Sequence, residues 1–378
     1  MDKRSEVKVF DNKIILLFGS GISVEAGFPV SSDLTKDLLN TSIFYKTTSG
    51  SYNWGGRNNT DKVLCCNQVY KGLLIVNSYL FKELGKAPNY EEIYYYCRLF
   101  VQTRRDEYED FYKYIEKQST LILGERIKFD NSGFQKAFFL LHEVCNYIQH
   151  FIWNRLSLNI HDTSYLSLLK EIYDLEDTDE INIFTLNHDL VLEKFFSDNN
   201  IDYIDGFEKD NSEIDKEVRF WDPEQYKKQS RIKLYKLHGS INWIVFDNES
   251  EPEKLGMSNN KDIYHIKKQG QYLIPSNGRP LFLTGTDNKL IDYNSNQFIQ
   301  FYIQNFTEVL SRYKKIIVSG YSYGDIGINK ILRDWLVDGK FIVNVNKEIP
   351  KVSFAGNIKS TGKYIQDTFL KDVITIME

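Results

Sequence analysis

Short, unbroken apolar runs alternate along the chain with stretches whose apolar residues recur every three to four positions. Ile14 to Phe18 is the first run, and its lack of alternation suits a strand buried on both faces. Glu180 to Asn187, Lys315 to Gly320 and Phe341 to Val345 return to strand character, and Arg231 to Leu237 alternates. Ile201 to Ile204 and Val352-Ser-Phe354 are shorter candidates. Between them lie helical patterns. Ser31-Ser32-Asp33 offers N-cap chemistry to a helix through Leu34, Leu38 and Leu39. From Tyr90 to Leu175 the period is helical throughout, as in Ile93, Cys97 and Val101, or Phe138, Leu141, Val144, Cys145 and Ile148. His188 to Phe196, Asn296 to Tyr313 and Ile326 to Leu336 are further helices. Strands alternating with helices predict an α/β fold, with a Rossmann-like, mainly parallel sheet and its site at the carboxyl ends of the strands. The boundaries expected are a Rossmann domain over 1–89 and 176–378, with an inserted helical module over 90–175. Residues 46–62 and 247–261 are polar and read as loops, the first Gly-rich and a candidate lid or partner contact.

Composition narrows the class. The 378 residues are 42% hydrophobic and 26% charged, ordinary for a globular chain. The 25 Tyr and 25 Phe are core material first. A net charge of −5 argues against unaided nucleic-acid binding. Cys65, Cys66, Cys97 and Cys145 form no C-x-x-C pair, so neither a disulfide framework nor a structural zinc site is expected, which fits a reducing cytoplasm. His142, Cys145 and His150 lie on one helix without a second ligand pair, so no metal is expected. No apolar leader or membrane-length run occurs in the sequence.

The chemistry gathers at strand ends. The first run opens onto Gly19-Ser20-Gly21, small residues that permit a sharp turn and a close phosphate approach. The spacing is neither G-x-G-x-x-G nor a Walker loop. The second run ends in Thr185-Leu-Asn187-His-Asp189, the third in His238-Gly-Ser240 and the fourth in Ser319-Gly320-Tyr-Ser322. Each has a plain structural reading. Asn187 and Asp189 suit a helix cap, His238 a satisfied core histidine and Ser322 a turn. A parallel sheet would bring all four ends to one crevice.

These motifs resemble the sirtuin-like family. Gly19-Ser20-Gly21-Ile-Ser23 with Gly27-Phe-Pro29 is similar to its G-A-G-x-S…G-I-P opening. Thr185-Leu-Asn187-His-Asp189 resembles T-x-N-x-D, Leu237-His238-Gly239 resembles L-H-G, and Gly320-Tyr-Ser322 resembles the late G-x-S. Val345-Asn346 resembles the I-N pair on the adenosine half. The sequence departs after Pro29, where Val30-Ser31-Ser32 stands in place of Asp-Phe-Arg, and it lacks the family's zinc ribbon.

With helices in place of that ribbon, the chain is similar to the sirtuin-like NAD hydrolases of bacterial antiphage defence, some of which work beside a HerA-type ATPase. The resemblance implies NAD as substrate, no metal, and a homo-oligomer or an ATPase partner. It implies Asn187 on the ribose and the attacking water, His238 as general base, and Asp189 on the carboxamide. It implies Gly19, Ser20, Gly21 and Ser23 around the pyrophosphate, where a helix dipole would assist. Ser322 would contact phosphate or ribose and Asn346 the adenosine ribose, with Thr185 and Gly320 also at the NAD site. Protein deacylation, ADP-ribosyl transfer or a non-catalytic nucleotide-binding subunit of an ATPase or nuclease assembly are the alternatives. The chain ends soon after the expected fold, so control is expected from a separate partner or from self-assembly.

Overall fold

Six strands pair into one parallel sheet. Its strands are β1 (Lys13–Phe18), β2 (Glu180–Thr185), β3 (Ile232–Lys236), β4 (Lys315–Ser319), β5 (Phe341–Val345) and β6 (Ile358–Ser360). Their order is β6-β5-β4-β1-β2-β3, every neighbouring pair parallel. This is the doubly wound arrangement, and its switch point falls between β1 and β4, whose carboxyl ends are Phe18 and Ser319. The computed structural model describes residues 12–41, 44–46, 51–54, 66–102, 109–122, 131–209, 218–247, 252–255, 263, 267–268, 271–276, 278–285, 297–337 and 339–377.

Both faces of β1 are buried, which is why its sequence is an unbroken apolar run. Ile14, Leu16 and Phe18 join one core, and Ile15 and Leu17 join the other. The first core is covered by α1 (Ser31–Asn40), α2 (Cys66–Leu84), α3 (Tyr90–Gln102), α4 (Glu109–Ile122), α5 (Asn131–Leu156), α6 (Ser167–Tyr173) and α7 (Val191–Asp198). The second is covered by α8 (Gln297–Ser311) and α9 (Ile326–Trp335), with an aromatic cluster of Phe207, Trp221, Tyr226, Trp243 and Tyr302. A last helix, α10 (Leu370–Met377), returns to the first core through Val373 and Met377.

The helical part differs from the expected insert. Its helices start at Cys66, ahead of residue 90. Leu73 and Val76 of α2, Ile93 and Cys97 of α3, and Val144 and Ile148 of α5 share one continuous apolar cluster with Leu16 and Ile183 of the sheet.

Four local readings are corrected. Ile201–Ile204 makes only an isolated bridge, Ile204 with Lys233. Val352–Phe354 is a turn, because Val352 and Ala355 N–H groups bond back to Pro350 and Val352, and the edge strand forms at Ile358 instead. Ser31 starts α1 rather than capping it; Val30 takes the cap position without a side-chain bond. The fourth is added pairing in the loops: Tyr45–Lys46 pairs with Tyr52–Asn53, and Glu253–Leu255 joins an antiparallel sheet with Phe207–Lys209, Val218–Trp221 and Trp243–Ile244. Most of the expected 46–62 and 247–261 loops lies outside the described residues.

Candidate active site

The glycines at the switch point serve the backbone. A Cβ on Gly19 would lie 2.7 Å from the Gly320 carbonyl oxygen, and one on Gly21 would lie 2.7 Å from the Gly320 Cα. Gly320 has φ +65°, and a Cβ there would meet the Ile22 nitrogen at 2.4 Å. No side chain fits between contacts this close, so the three glycines let the turns after β1 and β4 cross. The Gly19 N–H bonds the Ser319 carbonyl at 3.0 Å and the Gly21 N–H bonds the Gly320 carbonyl at 2.8 Å. Both donors are therefore engaged within the protein. Ser20–Ser23 is a single 3-10 turn, not the opening of an α-helix. The first α-helix after this turn begins only at Ser31.

The ends of β2 and β3 carry the polar chemistry. The Thr185 hydroxyl accepts the Asn187 N–H at 3.1 Å, shaping the turn after β2. Thr185 faces neither of the cavities described below; it acts on Asn187. The Asn187 amide donates to the Gly19 carbonyl at 3.1 Å and to the Ser23 hydroxyl at 3.0 Å. Its Oδ1 is buried without a hydrogen-bond partner among the described residues. An orphaned buried acceptor costs roughly 1–3 kcal/mol, so a ligand donor or water is called for there. Ser23 also hydrogen-bonds the Asp189 carboxylate, joining the turn after β1 to the loop after β2.

Asp189 accepts the Val191 N–H at 3.1 Å and so also shapes the entry to α7. Burial lifts its carboxyl above the usual carboxylate range, against the pull of the Lys236 ammonium. Lys236 is itself buried, donating to the Asp189 carbonyl and pairing with Glu193 at 3.0 Å.

His238 follows β3 and is fixed from both sides. Gly239, at φ +83°, turns the chain so tightly that a Cβ would lie 2.4 Å from the Leu281 carbonyl oxygen. The His238 carbonyl accepts the Leu283 N–H at 2.8 Å. The imidazole is 3% exposed, and its Nε2 lies 3.3 Å from Asp325 Oδ2. Sequence reasoning passed over Asp325. The available signal was its place in the Gly320–Asp325 turn, three residues before Ile328, whose N–H it caps at 2.8 Å.

Two cavities meet over these strand ends. One, of about 600 Å³, is lined by Gly19, Ser23, Asn187, Asp189, His238 and Asp325, among others. Its far wall is the α2–α3 corner and the start of α3, including Lys86, Asn89, Glu91 and Tyr95, another contribution absent from the sequence reading. The second, of about 790 Å³, is lined by Gly21, Gly320, Asn346, Lys347, Pro350 and Tyr364, among others. Ser20, Ser31, Tyr321 and Ser322 border both. Asn346 lines the second cavity, with its Oδ1 on the Gly320 N–H at 2.9 Å and its amide on Asn344 Oδ1 at 2.7 Å. The layout suits an elongated ligand with two ends. Among the described residues, no group of three or more His, Cys, Asp or Glu gathers to hold a metal, and no helix is long and apolar enough to cross a membrane.

No curated protein matches the chain. Among solved structures, a mutant Sir2 homologue in complex with ADP-ribose aligns at 11% identity and TM-score 0.43, covering 100% of this chain and 96% of that one. A Sir2 homologue–NAD complex aligns at 10% identity and TM-score 0.40, covering 97% and 90%. Residues 181–344, from β2 to β5, match the family described as a SIR2-like domain, so Asn187, Asp189, His238 and Asp325 all lie within a SIR2-like segment.

Proposed function

We propose that the protein is an NAD+ glycohydrolase, releasing nicotinamide and ADP-ribose. The observation that carries this reading is the joining of two cavities at the sheet's switch point. The polar side chains stand in one, and the other is open enough for the adenosine end of a dinucleotide. The sirtuin relatives complexed with NAD and ADP-ribose agree in ligand class.

The chemistry asks little of the protein. The bond between ribose C1′ and the nicotinamide nitrogen breaks, and its electron pair neutralises the pyridinium. The leaving group therefore needs no proton. Water adds to the oxocarbenium at C1′ and gives up one proton. The site must fix the ribose, orient the carboxamide and position the water. The unpartnered Asn187 Oδ1 is an acceptor for a ribose hydroxyl or for that water. His238 takes the proton as general base, a role worth roughly 10²–10⁴ in rate. Asp189 accepts from the carboxamide. Ser20 and Ser322, on the border of the two cavities, meet the pyrophosphate, with Gly19, Gly21, Ser23 and Gly320 shaping the turns beneath it. Thr185 holds Asn187, and Asn346 bounds the adenosine side. The same proposal assigns the activity to NAD depletion in antiphage defence, as a homo-oligomer or beside a HerA-type ATPase, on the motif resemblance.

Incubating the purified protein with NAD+ and separating the products tests the reading, with Asn187→Ala and His238→Ala alongside. Nicotinamide plus ADP-ribose, lost in both folded variants, is the expected result. A 2′-O-acyl ADP-ribose formed from an acylated peptide would favour deacylation instead, and an ADP-ribosylated protein would favour transfer. Binding of NAD+ without any turnover would favour the subunit reading.

A further inference from the structure

We propose that Asp325 is a positioning residue for His238, its carboxylate fixing the imidazole in the cavity and stabilising the imidazolium formed when a proton is taken up. The reaction step rests on the hydrolase reading; the pairing does not.

Asp325 is held more firmly than a helix cap requires. Tyr323, two residues earlier, has φ +58°, a left-handed conformation that bulky residues rarely adopt. The strain is retained because the ring is buried, packs 4.7 Å from Tyr321 and hydrogen-bonds Asn344 at 3.3 Å. The Tyr321 hydroxyl accepts the Asp325 N–H at 3.2 Å and donates to Asn329 Oδ1 at 3.0 Å. The Asn329 amide bonds the Tyr323 carbonyl at 2.6 Å, closing the turn on itself. One carboxylate oxygen caps α9 through Ile328; the other faces the His238 ring. A cap alone is satisfied by one oxygen in contact with water. Here the second oxygen and the imidazole are both buried, with side chains 6% and 3% exposed.

Other titratable groups surround the ring. His188, from the loop after β2, has its ring 6.2 Å away. Asp189 of the same loop and Lys86, Glu91 and Glu92 of the helical wall line the same cavity. Asp325 is within ion-pair distance of Nε2. With the Nε2 proton toward Asp325, the neutral imidazole keeps its lone pair on Nδ1. As the oxygen of water bonds to C1′, its proton passes to the imidazole. Asp325 stays ionised throughout, and the proton later leaves to solvent.

The variant Asp325→Asn keeps an oxygen for the Ile328 N–H and removes the charge. The decisive readout needs no substrate: NMR titration of the His238 imidazole, assigned by its loss in His238→Gln. The expected result is a His238 pKa lower by about one unit in Asp325→Asn, as for loss of an adjacent opposite charge. Where the wild type turns over NAD+, kcat is expected to fall by about 10²-fold, with its acid limb moved to lower pH and KM little changed. An unchanged titration in a folded variant would overturn the proposal and leave Asp325 as a helix cap. If Asp325→Asn does not fold, Asp325→Ser, which also caps, carries the same titration. Absence of NAD+ turnover with the titration shifted would overturn the hydrolase reading and leave the pairing standing.

Discussion

The two kinds of strand end in this sheet solve different problems. At the ends of β1 and β4 the residues are glycines, and the nearest atoms to each are backbone. Their donors are bonded within the protein. At the ends of β2 and β3 the residues are Asn187, Asp189 and His238, each tied to the scaffold by some atoms and turned by others to the cavity. The glycine ends allow two turns to cross; the polar ends line the cavity beside that crossing. A small-residue motif at a strand end can thus be explained by backbone packing alone.

The comparison breaks most visibly at the glycines. Gly21→Val and Gly320→Ala are expected to lower the thermal midpoint of the ligand-free protein by many degrees, since each adds a Cβ within 2.7 Å of backbone. The φ of Gly320 adds roughly 1–2 kcal/mol of left-handed strain. Calorimetry without nucleotide checks this. An unchanged midpoint with weakened NAD+ binding would return those glycines to a ligand role. Lys236→Met, beneath the polar ends, should destabilise by about 3–5 kcal/mol, because it leaves Glu193 as an unpaired buried charge. Denaturant melts of Lys236→Met and of the double variant with Glu193→Gln would show it, the second change recovering much of the loss.

A smaller effect separates the helical wall from the site. His150 on α5 is buried, and desolvation lowers its pKa from 6.5 to about 4. The unfolded chain therefore binds this proton more readily, and stability falls as the pH drops from about 6.5 towards 4. Linkage puts the full effect at about 3 kcal/mol. Wild type and His150→Gln, melted across that range, should differ in slope. Parallel curves would count against the assignment.

The parallel sheet was legible because β1 and β4 are buried on both faces and carry unbroken apolar runs, while β2 and β5 break theirs inside only at the buried Asn182 and Asn344. The polar strand ends were legible because Asn187 and His238 interrupt such runs abruptly. What stayed hidden was non-local. The role of Gly19 and Gly21 depends on Gly320, some three hundred residues away, and no pattern near residue 20 records that crossing. Asp325 reads as a helix cap, which it is; its second oxygen acquires meaning only when β3 and β4 deliver His238 to it. The antiparallel sheet of Val218–Trp221, Trp243–Ile244 and Glu253–Leu255 uses strands too short for periodicity to register.

The start of α3 has one further consequence. Glu91 and Tyr95 line the cavity while Ile93, Tyr94 and Cys97 on the same helix are packed into the core shared with the sheet. Swinging this wall outward would expose those side chains at about 1.5–3 kcal/mol for each large one. The helix therefore behaves as masonry rather than as a door, and any passage into the cavity falls to side-chain movement and to the wider chamber beyond Ser20 and Ser322.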